Sequence, residues 1–151
     1  MTISMVIGSG LGKTVHKANG DYFDGTTTSV FTVSGKCLVT ALVIEVEEAA
    51  LDATADNIKW TANPTTGSSV DMCAVLDVAS DEEGTLYSMT GVLTDALVGV
   101  TAGAVAGQTT PILVNTGTID LVSSGDSNNG NSSTQSIFLA YEPIDQGASI
   151  T

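Results

Sequence analysis

Alternating hydrophobic and polar positions predict that most of this chain forms β-strands. Residues 29–33, 57–62 and 86–93 are short runs rich in β-branched and aromatic side chains, bounded by Gly, Pro, Asn and Ser. The run 70–78 alternates in the same way, and Trp60 lies in the middle of 57–62. We therefore expect four strands here, with 70–93 forming an antiparallel hairpin and Trp60 in the core.

The C-terminal third predicts two further strands, residues 111–122 and 134–141, separated by the polar loop 123–133. In the second run Ile137 and its alternate neighbours share one face, and Phe138 lies on the other. We expect these runs to pair as a hairpin. A lone two-stranded hairpin is marginal in water, so the earlier strands should supply a sheet for it to pack on.

Residues 37–46 are the most apolar run in the chain, and both faces of the predicted strand are apolar. One face carries Leu38, Leu42, Ile44 and Val46, and the other carries Cys37, Val39, Ala41 and Val43. A strand that is apolar on both faces is normally covered on both sides, yet each sheet of a two-layer sandwich faces water on one side. We predict that Val39, Ala41 and Val43 form an oligomer interface. A cover of helix or loop from the same chain is the alternative.

These patterns predict an all-β fold, an antiparallel β-sandwich of jelly-roll type with eight or nine strands. Residues 26–151 are expected to form the sandwich domain. Residues 1–25 are rich in glycine and contain the single histidine, so we expect an extended N-terminal arm that docks on a partner. The arm residues expected to make that contact are Ile3, Val6, Ile7, Leu11, Lys13 and Lys17.

The strongly negative net charge of the chain argues against two classes of binding partner, nucleic acids and anionic membranes. The chain has 17 acidic residues against four basic ones, for a net charge of −13. Nucleic-acid binding requires Lys and Arg to neutralise phosphates, and an anionic membrane surface attracts basic segments, so we expect neither partner. Cys37 and Cys73 lie inside strand-like runs, which favours buried free thiols. A disulfide is the alternative for a protein that matures outside a reducing cytosol.

Catalytic chemistry is weakly represented. Nucleophilic catalysis needs a nucleophile, a base and an orienting group, but His16 is the single imidazole and lies in the predicted arm. Two cysteines and one histidine show no zinc-ligand spacing. Residues 126–131 offer oxygen ligands without the spacing of a calcium loop, and residues 8–14 lack the spacing of a phosphate-binding loop. We expect no enzyme activity, no cofactor and no metal site.

Four stretches, residues 72–80, 84–91, 117–121 and 141–148, resemble small virion structural proteins of tailed bacteriophages, of the head decoration (cement) type. The resemblance covers roughly residues 57–148 and consists of turn glycines and strand alternation. It implies a homotrimer bound to the major capsid protein on the outer surface of the virion, after synthesis in the host cytoplasm. It also implies that the N-terminal arm engages the shell or a neighbouring subunit.

Two other functions fit a β-sandwich of this size. One is a tail or fibre component that binds a host surface, although such proteins usually carry a long repetitive shaft. The other is a carbohydrate-binding jelly-roll module, since lectins share this architecture. A carbohydrate site would need exposed aromatic side chains near carboxylates, and most of the few aromatic residues fall at core-like positions.

Overall fold

The computed structural model describes residues 12–53, 57–125 and 133–151, and in these ranges the protein is all-β without a helix. Sheet A contains β1 (Lys13–Gly20), β3 (Cys37–Glu48), β7 (Leu86–Ser88), β8 (Val98–Val100), β9 (Ile112–Val114) and β11 (Thr134–Pro143). Sheet B contains β2 (Thr27–Ser34), β4 (Asn57–Pro64), β5 (Val70–Asp71), β6 (Leu76–Asp77), β10 (Gly117–Ser124) and β12 (Ser149–Ile150).

The strand order is that of a jelly roll. Sheet A runs β1-β11-β3-β7-β8, with β9 also on β3, and sheet B runs β12-β2-β10-β4-β5, with β6 also on β4. A jelly roll has eight strands, and here β5 and β6 together take the place of the fifth and β7 to β9 together that of the sixth. Numbered in this way, and without β12, the strand order is 1-8-3-6 in sheet A and 2-7-4-5 in sheet B. All the strand pairs are antiparallel. The predicted all-β, jelly-roll-like sandwich is confirmed.

The core lies between the two sheets and is filled by alternate residues of the long strands. Trp60 on β4 is fully buried, as predicted, and its ring packs against Phe31 of β2 with centroids 6.2 Å apart. Ile44 and Ile137 are buried on the facing side of sheet A. Burial of one large aromatic or aliphatic side chain contributes about 1.5–3 kcal/mol, so these inner positions account for much of the fold's stability.

A bulge interrupts the alternation of β3. Tyr141 pairs with Val39 while Ala140 pairs with Ala41, so Thr40 has no partner of its own across β11. The extra residue turns Val39 toward the core, where it is fully buried, while Ala41 stays on the outer face. The predicted interface trio therefore requires correction, because Val39 does not share a face with Ala41 and Val43. Gln108 stabilises the bulge through a hydrogen bond from its Nε2 to the Val39 carbonyl, at 3.0 Å.

Both predicted hairpins are wrong. β10 pairs with β2 and β4, whereas β11 pairs with β1 and β3, so the loop after β10 crosses from sheet B to sheet A. Likewise β5 and β6 pair with β4 while β7 pairs with β3. Adjacent strands of a jelly roll often lie in opposite sheets, and local sequence carries no signal for that crossing. Residues 126–132 of the crossing loop lie outside the described residues.

The boundary between arm and domain also differs from the prediction. Residues 13–20 form β1, which pairs along most of its length with β11 and is an edge strand of sheet A. Phe23 is fully buried, and the backbone N–H groups of Tyr22 and Phe23 donate to Gln135 Oε1 at 2.9 and 3.2 Å. The second half of the predicted arm is thus part of the sandwich. Its first part, residues 1–11, lies outside the described residues.

Candidate docking surface

The outer face of sheet A carries a small apolar surface, which we call the outer A face. Two cross-strand rows build it: His16, Phe138 and Val43 form one, and Thr14, Ala140 and Ala41 form the other. Each row takes one residue from β1, one from β11 and one from β3. The surface therefore depends on three strands that are far apart in the sequence.

Period-two alternation explains why these side chains point outward. Leu42 and Ile44 on β3 are fully buried in the core, so Val43 between them must face away from it. On β11 Ile137 and Leu139 are buried in the same way, which leaves Phe138 outside with 40% of its surface exposed. β3 and β11 therefore carry apolar side chains on both faces: the inner ones fill the core, and the outer ones form the outer A face.

The geometry of the outer A face is a shallow groove beside an aromatic stack. The rings of His16 and Phe138 are parallel within 7°, with centroids 4.4 Å apart. The small side chains of Ala41 and Ala140 leave a concavity of about 280 Å³ next to this stack. A groove with apolar walls and a rigid aromatic edge can accept a large apolar side chain from a partner.

Charged residues lie at both ends of the outer A face. Glu45 occupies the next outward position after Val43 on β3, and Glu142 occupies the next outward position after Ala140 on β11. Lys13, at the start of β1, is opposite the buried Tyr141 and so belongs to the inner side of the sheet, as Lys17 does. The arrangement of an apolar centre with a charged rim is typical of protein–protein interfaces.

The structure brings together only some of the residues that the sequence analysis selected. Ala41 and Val43 line the outer A face. Lys17 instead turns toward the core side of β1, with Nζ 5.8 Å from the centroid of the Phe31 ring. The arm positions Ile3, Val6, Ile7 and Leu11 lie outside the described residues.

Sequence reasoning missed the two aromatic members of this surface. The alternation of 134–141 already separated Phe138 from Ile137, so the signal for an outward phenylalanine was present. His16 was assigned to the arm, because the polar, glycine-flanked stretch around it gives little sign of a strand. Only the pairing of β1 with β11 places the imidazole on the phenyl ring.

A second cavity, of about 260 Å³, lies at one end of the sandwich among loops. Its walls are polar and are tied together by hydrogen bonds: the backbone N–H of Lys36 donates to Asp145 Oδ2 at 2.9 Å, and Thr65 Oγ1 donates to the Thr116 carbonyl at 2.8 Å. These hydrogen bonds satisfy backbone N–H and C=O groups at the ends of the loops. The cavity has no aromatic wall, which a sugar ring would need for stacking.

Burial disfavours ionisation of both cysteines and of one tyrosine among the described residues. Burial raises the pKa of the Cys73 thiol, and burial with the nearby Asp145 raises the pKa of Cys37. Both effects disfavour the thiolate. Burial also raises the pKa of Tyr87, whose hydroxyl donates to Asp81 Oδ2 at 2.6 Å. No group of three or more His, Cys, Asp or Glu side chains in this part of the chain could hold a metal ion.

Comparisons with known proteins add little. No protein-family model and no curated protein matches the sequence. Among solved structures the chain is similar to one of infectious bursal disease virus, Gx strain, with 13% identity and a TM-score of 0.20. The likeness covers 92% of this chain and 38% of the viral chain. Such a TM-score does not indicate a shared fold, so no functional conclusion rests on it.

The described residues include no helix that is long and apolar enough to cross a membrane.

Proposed function

We propose that this protein is a capsid decoration protein that binds the outer surface of a bacteriophage head and stabilises contacts between capsid subunits. The outer A face is the observation that carries the proposal. The jelly-roll fold and the resemblance of residues 57–148 to head decoration proteins support it. In this proposal the partners are the major capsid protein and two further copies of the chain in a homotrimer.

The outer A face suits a surface that is covered after assembly. Phe138 and Val43 are apolar side chains at the centre of a sheet face, in a chain whose net charge is −13. Burying apolar surface contributes about 25 cal/mol per Å², so a partner that covers this groove gains affinity. The acidic remainder of the surface keeps the free protein soluble before it reaches the shell.

A structural role also accounts for the state of the reactive groups. The His16 imidazole packs flat against Phe138, and both thiols are buried. Neither arrangement supplies the exposed nucleophile and adjacent base that covalent catalysis needs. The proposal accordingly assigns the His16–Phe138 pair to a binding surface.

Sedimentation with capsids tests the proposal. Phage heads lacking this protein are mixed with the wild-type chain, with Phe138→Lys or with Val75→Lys. Val75 is a matched control because it is 52% exposed and lies outside the strands of sheet A. We expect wild type and Val75→Lys to co-sediment equally, and Phe138→Lys to lose at least about tenfold in affinity, as for a central interface residue.

Two results would overturn the proposal. If the wild-type chain does not bind heads that lack it, the protein is not a decoration protein of that shell. If both lysine variants bind as well as wild type, the shell contact does not involve the outer A face. Circular dichroism of each variant confirms that folding is unchanged.

A further inference from the structure

We propose that the partner of the outer A face presents a large apolar side chain between two basic residues that lie about 20 Å apart. The apolar side chain fills the groove at Ala41 and Ala140, and the basic residues face Glu45 and Glu142. This inference rests on the proposed function, because it states the chemistry of the partner at that same surface. It adds a selection by charge, which an apolar groove alone does not supply.

The charged side chains around the outer A face are acidic. Glu45 lies between two buried residues of β3 and pairs with Ser136 across β11, whereas Glu142 follows the buried Tyr141 and pairs with Leu38 across β3. Residues directly opposite each other in an antiparallel pair share a face. Both carboxylates therefore point outward beside the groove, where each is half-buried.

No lysine balances these carboxylates. All four lysines fall within the described residues, and none lies on the outer A face. Lys13 and Lys17 are opposite buried residues of β11 and belong to the inner side of β1. Lys36 lies in the turn between β2 and β3, and Lys59 lies on sheet B, where it forms an ion pair at 2.9 Å. The docking surface therefore carries negative charge, in a chain whose net charge is −13.

The two carboxylates lie at opposite ends of the groove. Glu142 comes six positions after Ser136 (136 to 142), and Ser136 is opposite Glu45. At about 3.3 Å per residue, this separation along the strands is about 20 Å. Phe138 and Ala140 lie between the two ends and line the groove of about 280 Å³. A partner that reaches both carboxylates must therefore carry its basic residues on either side of the apolar one.

The same face continues as apolar surface on the side away from β1. Val43 pairs with Ser88, which pairs with Val98, and Val98 is 40% exposed. Leu38 pairs with Leu113, which is 55% exposed. Apolar contact alone would accept many partners, so the acidic rim is the feature that distinguishes a basic segment from an acidic one.

Rim charges have a recognisable kinetic effect. They accelerate the encounter of oppositely charged surfaces and repel like-charged ones, and they affect the association rate more than the final affinity. Salt screens this attraction, because the Debye length falls from about 10 Å at about 0.1 M to about 3 Å at about 1 M. The inference therefore predicts salt-dependent association that requires Glu45 and Glu142.

Association kinetics with immobilised phage heads that lack this protein test the charge of the partner. We expect Glu45→Gln and Glu142→Gln each to associate at least about threefold more slowly than wild type at about 0.05 M salt, and nearly as fast at about 0.5 M. Asp77→Asn is the matched control. It removes one carboxylate at an exposed position of sheet B and keeps an oxygen that can accept from the Ala79 N–H.

The outcomes separate this inference from the proposed function. If both glutamine variants associate as fast as Asp77→Asn while Phe138→Lys loses binding, the docking surface stands and the basic partner is wrong. Faster association of the glutamine variants would indicate an acidic partner, which also overturns the inference. If the wild-type chain does not bind heads, the proposed function fails and this inference fails with it.

Analytical ultracentrifugation without heads covers the remaining occupant, a second copy of the chain. We expect Glu45→Gln and Phe138→Lys to leave the oligomeric state of the free protein as it is in wild type. Self-association that Glu45→Gln strengthens and Phe138→Lys abolishes would show that another copy occupies the groove, and would overturn the basic partner.

Discussion

The two outer faces of the sandwich are built by the same alternation but differ in chemistry. The outer face of sheet B, the outer B face, is mainly polar: it includes Lys59, Thr61, Asn63, Thr118 and Asp120 together with Asp71, and one apolar residue, Val122. Lys59 pairs with Asp71 at 2.9 Å, Thr61 donates to the same carboxylate at 3.1 Å, and Ser69 donates to Asn63 Oδ1 at 2.8 Å. The corresponding positions on sheet A are His16, Val43 and Phe138, together with the small Ala41 and Ala140.

The two outer faces differ in how their side chains are paired. Several polar side chains of the outer B face are hydrogen-bonded to one another, as is common on the solvent side of an antiparallel sheet, although the buried Asp120 Oδ1 accepts no hydrogen bond from the described residues. On the outer A face, by contrast, Phe138 is 40% exposed and Val43 and Ala41 beside it are half-buried. A contiguous exposed apolar surface usually marks an interaction site. The comparison therefore supports the proposal that sheet A, rather than sheet B, is the docking side.

The largest expected effect concerns the core that both faces share. Trp60→Ala should destabilise the protein by about 3–5 kcal/mol, because a fully buried large side chain is replaced by a cavity. Urea unfolding followed by circular dichroism measures the loss. An unchanged midpoint would mean that the inner face does not depend on Trp60, and the contrast between inner and outer positions would fail.

Capsid binding by a second variant separates the two outer faces next. Val43→Glu places a charge at the centre of the outer A face and should weaken the proposed contact with the capsid at least about tenfold, equivalent to about 1.4 kcal/mol. Thr32→Glu is the control, since Thr32 is exposed on the outer side of β2 in sheet B. Co-sedimentation with phage heads measures both variants. Equal binding by the two variants would contradict the contrast between the faces.

The aromatic stack should contribute modestly to the stability of the free protein. Phe138→Ala should cost less than the loss of about 3–5 kcal/mol for a fully buried aromatic residue, because the ring is 40% exposed, and stacking should account for about 0.5–1.5 kcal/mol of it. A double-mutant cycle with His16→Ala isolates the stacking contribution. A loss as large as that for Trp60→Ala would place Phe138 in the core and remove it from the docking surface.

The smallest effect concerns the ion pair of the outer B face. The hydrogen bond from Lys59 lowers the pKa of Asp71 in the folded state. A lowered carboxyl pKa stabilises the fold above the unfolded pKa of about 4, and this contribution is lost as pH falls below it. The Asp71 side chain is 51% exposed, so solvent screening keeps the contribution under about 1 kcal/mol.

Lys59→Met tests this pair. The variant should be slightly less stable than wild type at pH 7, and the difference should shrink at pH 3, which is below the unfolded pKa of an aspartate. Lys36→Met is the control, because Lys36 lies at a loop away from the outer B face. Unfolding free energies at the two pH values decide the matter. A Lys59→Met deficit that persists unchanged at pH 3 would show that the lysine acts through packing instead.

The candidate site was partly predictable from the sequence. Ala41 and Val43 followed from the two-faced apolarity of residues 37–46. Regular alternation through Thr40 predicts that Val39 shares that face, but the bulge at Thr40 adds one residue and turns Val39 to the core. Such a bulge depends on the pairing of β3 with β11 and on Gln108, which lies 69 positions after Val39. Local periodicity has no information about either contact.

The sequence by itself determined the strand class and the positions of the long strands β2, β3, β4, β10 and β11. Alternation and β-branched composition act within a few residues, so they are readable without a partner. Only the tertiary structure decided that β10 and β11 lie in opposite sheets, and that β1 brings His16 onto Phe138. Those outcomes depend on backbone hydrogen bonds and burial between residues far apart in the sequence, such as Gly117 with Val33 and His16 with Phe138. Such pairing is selected by the core as a whole rather than by any one segment.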